Sequence, residues 1–269
     1  MTRIRIGTQG WSFDRWVGPF YPDERVDRLE MYARAFDTVE VDSTWYAIPP
    51  EERVVAWRDR TPDDFVFCLK LPGEVTHERR LRLAHDVLAA FLGVARRLDE
   101  KLGHLLIQLP PDFAPTAANR EAVASFLAAL PAGFDFAIEF RGADWLTDAT
   151  MALLDRTGTT LCVSVGPWLA TPEAIHAAGR APGRDLYLRW LGDPRHQPDL
   201  AKLIEERDRE LDAWADAIRA MEGERDVVYG FPNNDYQGHA PETARRLQAR
   251  LGLPVTRPGE LREQRDLFL

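Results

Sequence analysis

Short runs of β-branched and aromatic residues recur along the chain, separated by stretches whose apolar positions repeat every three to four residues. That alternation predicts parallel strands joined by right-handed crossover helices. We predict eight strands, at residues 4–8, 38–43, 65–71, 105–109, 136–140, 160–165, 186–191 and 227–231.

Two of the intervening stretches have a clear apolar stripe. One stripe runs from Leu81 to Leu102, and the other predicts a helix over 198–221 in which the charged run 205–210 is a solvated face. Proline and glycine clusters separate the individual units and mark no boundary between domains. We therefore predict a single α/β domain over residues 1–269.

Eight comparable strand and helix units in a chain of 269 residues match a TIM-type (β/α)8 barrel. The alternative is an open, doubly wound sheet. It is the weaker prediction because no Gly-x-Gly-x-x-Gly or Gly-x-x-x-x-Gly-Lys-Ser/Thr loop follows the first strand.

Polar residues occupy strand positions that should face the inside of this barrel. In the second strand Val39 and Val41 share one face, so Glu40 and Asp42 share the other. The same alternation turns further side chains inward: Glu139, Arg141, Tyr187 and Arg189. Others end or follow strands: Lys70, Gln108, Ser164, Asn233, Asn234 and Asp235. All lie at C-terminal strand ends, which form the catalytic face of a TIM barrel.

The inward charges should pair with one another, because a buried unpaired charge is strongly unfavourable. We expect Glu40, Asp42 and Glu139 to pair with Lys70, Arg141 and Arg189. A network of ion pairs with a purely structural role remains the alternative interpretation. We favour a functional pocket, since apolar packing of similar volume could usually replace such a network without loss of stability.

Aromatic residues gather in the loops after the first two strands. They are Trp11, Phe13, Trp16, Phe20, Tyr21, Trp45 and Tyr46. Such rings could form a wall on which a sugar or base stacks, or a hydrophobic plug over the barrel mouth, and the sequence leaves both interpretations open.

Composition narrows the class of partner. The net charge of −9 disfavours phosphate-driven binding of nucleic acid, which needs a basic surface. The first residues lack the apolar core of a signal peptide and no long apolar run occurs, so we expect a cytoplasmic protein without a membrane partner. Cys68 and Cys162 lie in apolar strands and are expected to be core residues.

Histidine positions give little support to a metal site. His85 and His176 fall in predicted helices and His104 at the opposite rim, which leaves His77, His196 and His239 in the top loops. A single divalent metal held by some of His77, Glu40, Glu139 and Asp235 stays an alternative. No His-x-His or His-Glu-x-x-His motif supports it, and no other cofactor is implied.

The residue types indicate acid–base chemistry on an anionic ligand. Glu139 is the leading general acid or base, with Lys70 and Glu40 as further catalytic candidates. Arg141 and Arg189 suit a phosphate or carboxylate, which a guanidinium binds bidentately. The remaining candidate ligand-binding residues are Asp42, Gln108, His77, Trp11, Tyr46, Asn233, Asn234 and Asp235.

Six ordered blocks together resemble the DUF72 (YecE-like) family. They are Gly7-Thr-Gln-Gly-Trp-Ser-Phe13, Val39-Glu-Val-Asp-Ser-Thr-Trp-Tyr46, Lys70 with Thr76-His77, Gln108-Leu-Pro-Pro111, Glu139-Phe-Arg141 with Trp145, and Asn233-Asn-Asp235 with Gly238. The resemblance implies a TIM-barrel-like bacterial or archaeal cytoplasmic protein of unassigned activity. The family usually has Asn where Asp42 stands, and His where Leu191 stands.

Three functional hypotheses follow. The first is an enzyme acting on a small, polar, anionic molecule. The second is a metal-assisted phosphodiesterase on nucleic acid, with Trp11 and Trp45 stacking bases, and it depends on a general similarity to endonuclease-type barrels. The third is a binding module without turnover. The sequence leaves the substrate, the oligomeric state and the pathway open.

Overall fold

The computed structural model describes residues 1–193 and 200–261, and within them eight parallel strands form one sheet. The strands are β1 (Arg3–Ile6), β2 (Thr38–Val41), β3 (Val66–Lys70), β4 (Leu102–Gln108), β5 (Phe136–Glu139), β6 (Thr160–Val165), β7 (Asp185–Trp190) and β8 (Val227–Pro232). Their order is β1-β8-β7-β6-β5-β4-β3-β2. Every predicted run overlaps one of these strands, so the predicted (β/α)8 barrel is confirmed.

The ring of strands is completed between β1 and β2 just beyond the end of β1. There the backbone N–H of Glu40 donates to the carbonyl of Thr8 at 3.1 Å, and the N–H of Gly10 donates to the carbonyl of Glu40 at 2.8 Å. These two bonds bring the edge strands together and separate an inner from an outer face.

Helices follow the strands in sequence. They are α1 (Arg28–Ala33), α2 (Ser43–Tyr46), α3 (Glu51–Asp59), α4 (His85–Ala95), α5 (Ala117–Ala128), α6 (Asp148–Thr157), α7 (Thr171–Arg180), α8 (Asp208–Ala220), α9 (Asn234–Gln237) and α10 (Ala240–Arg250). Short 3-10 helices cover Asp14–Trp16, Arg96–Lys101 and Ala143–Trp145, and a π-helix covers Glu74–Glu78. In the described part of the chain, no helix combines the length and apolar character that crossing a membrane requires.

The predicted helix over 198–221 was too long. Residues 198 and 199 lie outside the described residues, and helix α8 begins only at Asp208. The charged run 205–210 extends into the first turn of α8 and is not simply solvated, because Arg207 pairs with Glu205 at 2.5 Å and with Glu210 at 3.0 Å. Those ion pairs tie the segment to the start of α8 without requiring helical backbone.

The apolar stripe from Leu81 to Leu102 is also longer than the helix that forms within it. Helix α4 covers only His85–Ala95, and Leu102 is already the first residue of β4. Leu81 and Leu83 have φ angles of 67° and 50°, a backbone region closed to an α-helix. Apolar spacing therefore identified the buried side of this segment but not its helical limits.

The core has two layers. The outer layer lies between sheet and helices and includes Val39 and Val41, as the alternation predicted. The inner layer fills the barrel with Cys68, Leu106, Ala137, Cys162, Tyr187, Tyr229 and Phe231. Both cysteines are buried free thiols, as predicted.

We expect Gly7→Ala to destabilise the fold by about 1–3 kcal/mol, the usual range for overpacking. A β-carbon at Gly7 would lie 2.1 Å from the backbone oxygen of Thr38, so β1 could no longer approach β2. Gly93→Ala in helix α4 is the control, because nothing lies within 4 Å there. It should stabilise the protein by about 0.5–1 kcal/mol. Urea unfolding of both variants checks this, and equal effects would contradict it.

Candidate functional site

A salt-bridged layer of charged side chains lies inside the barrel near the C-terminal strand ends. The guanidinium of Arg189 donates to both oxygens of Glu40, with Nη2 at 2.8 Å and Nε at 3.0 and 3.1 Å. Its Nη1 donates to Glu139 Oε2 at 2.5 Å. Tyr187 adds a hydroxyl donor to Glu40 at 2.7 Å. Arg189 on β7 therefore joins carboxylates from β2 and β5, and the expected pairing of these charges is confirmed.

Arg141 lies directly above this layer. Its Nε donates to Glu139 Oε1 at 3.3 Å, and its guanidinium lies over the ring of Trp168, 4.6 Å from the centroid. Trp168 in turn donates to the hydroxyl of Ser164 at 3.3 Å. The contacts with Glu139 and Trp168 orient the side chain of Arg141. Because 19% of that side chain is exposed, the guanidinium still reaches solvent.

Lys70, the last residue of β3, contributes a second cation to the mouth. Its ammonium lies 3.6 Å from Asp42 Oδ1 and 5.5 Å from the ring centroid of Trp45. Asp42 Oδ1 is also 3.8 Å from Arg189 Nη2, so the outer carboxylate contacts the buried layer. The side chains of Lys70 and Asp42 are 13% and 36% exposed, which places both at the rim of the barrel mouth.

The charges differ in how the site shifts their pKa values. Burial raises the pKa of Glu40, and Arg189 only partly opposes it. Burial would also raise the pKa of Glu139, but Arg189, Arg141 and Lys70 together lower it to about 2. For Lys70, burial lowers the pKa and the nearby Asp42 opposes the shift. Glu139 is therefore a permanent anion at neutral pH, while Lys70 is the cation whose proton is most easily lost.

His77 completes the rim beside Lys70. Its Nδ1 lies 2.9 Å from the Thr76 hydroxyl and accepts from Trp45 Nε1 at 3.3 Å. Burial, followed by the cations Lys70 and Arg141, lowers the pKa of His77 to about 4. The imidazole is thus neutral at physiological pH and suited to hydrogen bonding more than to pairing with an anion.

Gln108 joins the same mouth from β4. Its Cα is in register with that of Glu139 on β5, and the residue is 3% exposed. Within residues 1–193 and 200–261, its Oε1 has no hydrogen-bond partner. The predicted site residues Glu40, Asp42, Lys70, His77, Gln108, Glu139, Arg141 and Arg189 are thus brought together.

Two predicted aromatic contacts lie elsewhere. The ring of Trp11 packs against Trp57 on α3 and Phe67 of the outer core layer, at centroid distances of 5.5 and 6.5 Å. Tyr46 is 80% exposed and touches Trp45 edge-on. Of the proposed aromatic wall, Trp45 contacts Lys70, whereas Trp16, Phe20 and Tyr21 are buried in the core as a plug would be.

The Asn-Asn-Asp segment after β8 makes local structural bonds. Asn233 Oδ1 accepts from the backbone N–H groups of Tyr236 and Gly192 at 3.0 and 3.2 Å, which caps α9. Asn234 Oδ1 accepts from Trp16 Nε1 at 3.1 Å. Asp235 accepts from the amide of Asn233 at 3.2 Å. These bonds join loops over the barrel and do not reach the charged layer.

The expected positions of the histidines are mostly confirmed. His85 and His176 lie in helices α4 and α7, and His196 lies outside the described residues. His239 bonds the carbonyl of Leu200 at 2.7 Å. Across the described ranges, no three His, Cys, Asp or Glu side chains lie close enough to hold a metal ion. The metal set of His77, Glu40, Glu139 and Asp235 is therefore not assembled, and the two glutamates are bridged by Arg189 instead.

Trp168 is the site residue that the sequence interpretation missed. It lies in the loop between β6 and α7, and its ring supports the guanidinium of Arg141. Its position just after a predicted strand end was the available signal. Nothing in the local pattern showed that this loop would fold back over the mouth.

Comparisons with known proteins agree with this architecture. A sequence profile described as "Protein of unknown function DUF72" matches residues 5–266. The UPF0759 protein YecE of Escherichia coli K12 is 38% identical over 138 residues, covering 51% of this chain and 48% of that protein. The UPF0759 protein YunF of Bacillus subtilis is 24% identical over 290 residues, covering 98% of this chain and 100% of that protein.

A solved structure shares the fold. The crystal structure of a DUF72 family protein from Thermotoga maritima has a TM-score of 0.77 at 25% identity, covering 93% of this chain and 99% of that one. The match to YecE, by contrast, spans about half the length of that relative, as its 48% coverage states.

Proposed function

This chain belongs to the DUF72 family of proteins of unknown function, and from its own side chains we propose that the protein is an acid–base enzyme. The substrate is a small, polar molecule that carries a phosphate or carboxylate group. Arg141 binds that anion at the barrel mouth, and Lys70 transfers a proton on the bound molecule.

The geometry of Arg141 is the main support for the proposed anion site. Its Nε is used by Glu139 and its planar face lies on Trp168, so the direction of the guanidinium is set. In the described part of the chain its two Nη atoms have no hydrogen-bond acceptor, and the side chain is 19% exposed. A fork of oriented donors that faces the mouth matches the oxygens of a carboxylate or phosphate.

Lys70 is the best-placed group for proton transfer. A general acid or base works best when its pKa is near the operating pH, and burial lowers the pKa of Lys70 toward that range. Glu139 was the leading candidate by sequence. Because Glu139 is fully buried beneath Arg189 and Arg141 and its pKa is about 2, we assign it the positioning of Arg141. Glu40 has the corresponding role toward Arg189.

Titration of the protein with phosphate, sulfate and simple carboxylates by calorimetry tests the binding step. We expect Arg141→Gln to weaken anion binding by about 10–100-fold, because a charged hydrogen bond contributes about 1.5–3 kcal/mol. Arg184→Gln is the control, since Arg184 pairs with Asp226 on the exposed surface. Equal affinity in wild type and Arg141→Gln would contradict the assigned anion site.

The enzymatic part needs a separate measurement. Each anion that binds is incubated with the protein and analysed by mass spectrometry and by exchange of its protons with deuterated water. Conversion or exchange supports an enzyme. Recovery of every bound molecule unchanged and without exchange would contradict turnover and favour a binding module.

A further inference from the structure

Gln108 presents a buried acceptor that the protein leaves unused. The residue is the last of β4, faces inward and is only 3% exposed. No described residue donates a hydrogen bond to its Oε1. A buried carbonyl oxygen without a donor is unfavourable, so such an atom in a functional cleft indicates that a ligand or water supplies the missing bond.

Asp42 presents a second unused acceptor at the same mouth. Its Oδ1 is buried and, among the described residues, has no hydrogen-bond donor. Lys70 and Arg189 attract it from 3.6 and 3.8 Å, which is beyond hydrogen-bond length. Asp42 follows β2, Lys70 ends β3 and Gln108 ends β4, so the two residues with unused oxygens belong to the strands on either side of the strand that carries Lys70.

The surrounding charges restrict the chemistry of the missing donor. Lys70 and Arg141 are the cations that reach the mouth, whereas Arg189 is buried beneath it and paired with Glu40 and Glu139. Lys70 and Arg141 would repel a ligand ammonium group near Gln108. A neutral hydroxyl avoids that repulsion. It can donate to one of the unused oxygens and accept from a neighbouring cation with the same atom.

From these contacts we infer that the substrate is an anionic polyol, a molecule that carries at least two hydroxyl groups besides its phosphate or carboxylate. One hydroxyl donates to Gln108 Oε1 and another to Asp42 Oδ1, on either side of Lys70. Sugar phosphates and sugar acids share this chemistry. The inference rests on the proposed function for the anionic group, while the hydroxyl contacts are an independent claim.

Matched ligand pairs test the hydroxyl contacts. The probes are glycerol 3-phosphate against propyl phosphate, and gluconate against hexanoate, titrated by calorimetry under identical conditions. We expect at least one polyol to bind wild type at least tenfold more tightly than its partner. In Gln108→Met that preference should fall at least fivefold, while the affinity for the partner without hydroxyls stays the same.

Gln248→Met is the control variant. Gln248 is also buried and also has an Oε1 without a hydrogen-bond partner among the described residues, but it lies on α10 and donates to the carbonyl of Ile6. We expect its polyol preference to equal that of wild type. Circular dichroism of both variants confirms that they are folded before titration.

The outcomes separate this inference from the proposed function. If each polyol and its partner bind equally while Arg141→Gln still weakens both, the anion site stands and the polyol inference is overturned. Tighter binding of 3-aminopropyl phosphate than of glycerol 3-phosphate, or an unchanged preference in Gln108→Met, also overturns it. If no probe binds at millimolar concentration, both proposals fail.

Discussion

Arg189→Met is expected to destabilise the protein by about 3–5 kcal/mol, the usual result of removing one partner from a buried ion pair. Glu40 and Glu139 are both fully buried, and Arg189 is the cation that contacts each of them within 3.1 Å. Without it, two carboxylates lie close together in the barrel with Arg141 as their remaining directly bonded guanidinium. Urea unfolding at neutral pH measures the loss.

A surface pair provides the matched control. Arg184 and Asp226 are 2.5 Å apart but both more than half exposed, so solvent screens the pair and Arg184→Met should lower the stability far less than Arg189→Met. Adding Glu40→Gln to Arg189→Met should recover part of the loss, because one buried charge is then removed. A loss below about 1 kcal/mol in Arg189→Met would contradict the assigned importance of the buried layer.

Arg189→Met should also differ from wild type in the pH dependence of its free energy of unfolding. In wild type the pKa of Glu139 is lowered from 4.5 to about 2, so its contribution is present above pH 4.5 and is lost as pH falls toward 2. Without Arg189, burial raises the carboxylate pKa values, and protonation at lower pH relieves the unpaired charges. The stability difference between the two proteins should therefore shrink as the solution is acidified.

Lys70→Met is expected to reduce turnover of any identified substrate by about 100–10,000-fold, the range found for loss of a general acid or base. The variant removes the ammonium beside Asp42, while Arg141 and its contacts to Glu139 and Trp168 stay in place. Substrate affinity should therefore change much less than kcat. Initial rates across a pH series measure both parameters.

Lys70→Arg separates proton transfer from charge. Arginine keeps the positive charge but does not lose a proton in proteins, so this variant should be nearly as inactive as Lys70→Met. Lys202→Met, at an exposed position, is the control for loss of a lysine and should leave the rate unchanged. A wild-type rate in Lys70→Arg would show that Lys70 acts through its charge alone.

Much of the candidate site could be predicted because strand alternation is a local property. Once residues 38–41 form a strand, Val39 and Glu40 must point to opposite faces, whatever the rest of the chain does. The same reasoning correctly placed Glu139 and Arg189 inside the barrel. Pairing of their charges then followed from the unfavourable energy of burying them separately.

Loop residues could not be assigned in this way. The pattern placed Trp11 and Asn233 at strand ends and predicted both as ligand-binding residues, and it did not single out Trp168. Tertiary packing turned Trp11 toward Trp57 and used Asn233 to cap α9, while it brought Trp168 beneath Arg141. Loop backbone has no fixed period, and the partner of each side chain depends on which distant segment packs beside it.

The sequence by itself determined the barrel and the set of charged side chains that face its interior, because both follow from the period of the strands and the order of the units. Only the tertiary structure decided which of those side chains stays charged at neutral pH and which of them reaches the barrel mouth. It also decided which hydrogen-bond acceptors have no donor. These properties depend on distances between atoms on separate strands and on the burial around them. Neither quantity is encoded in any one segment of the chain.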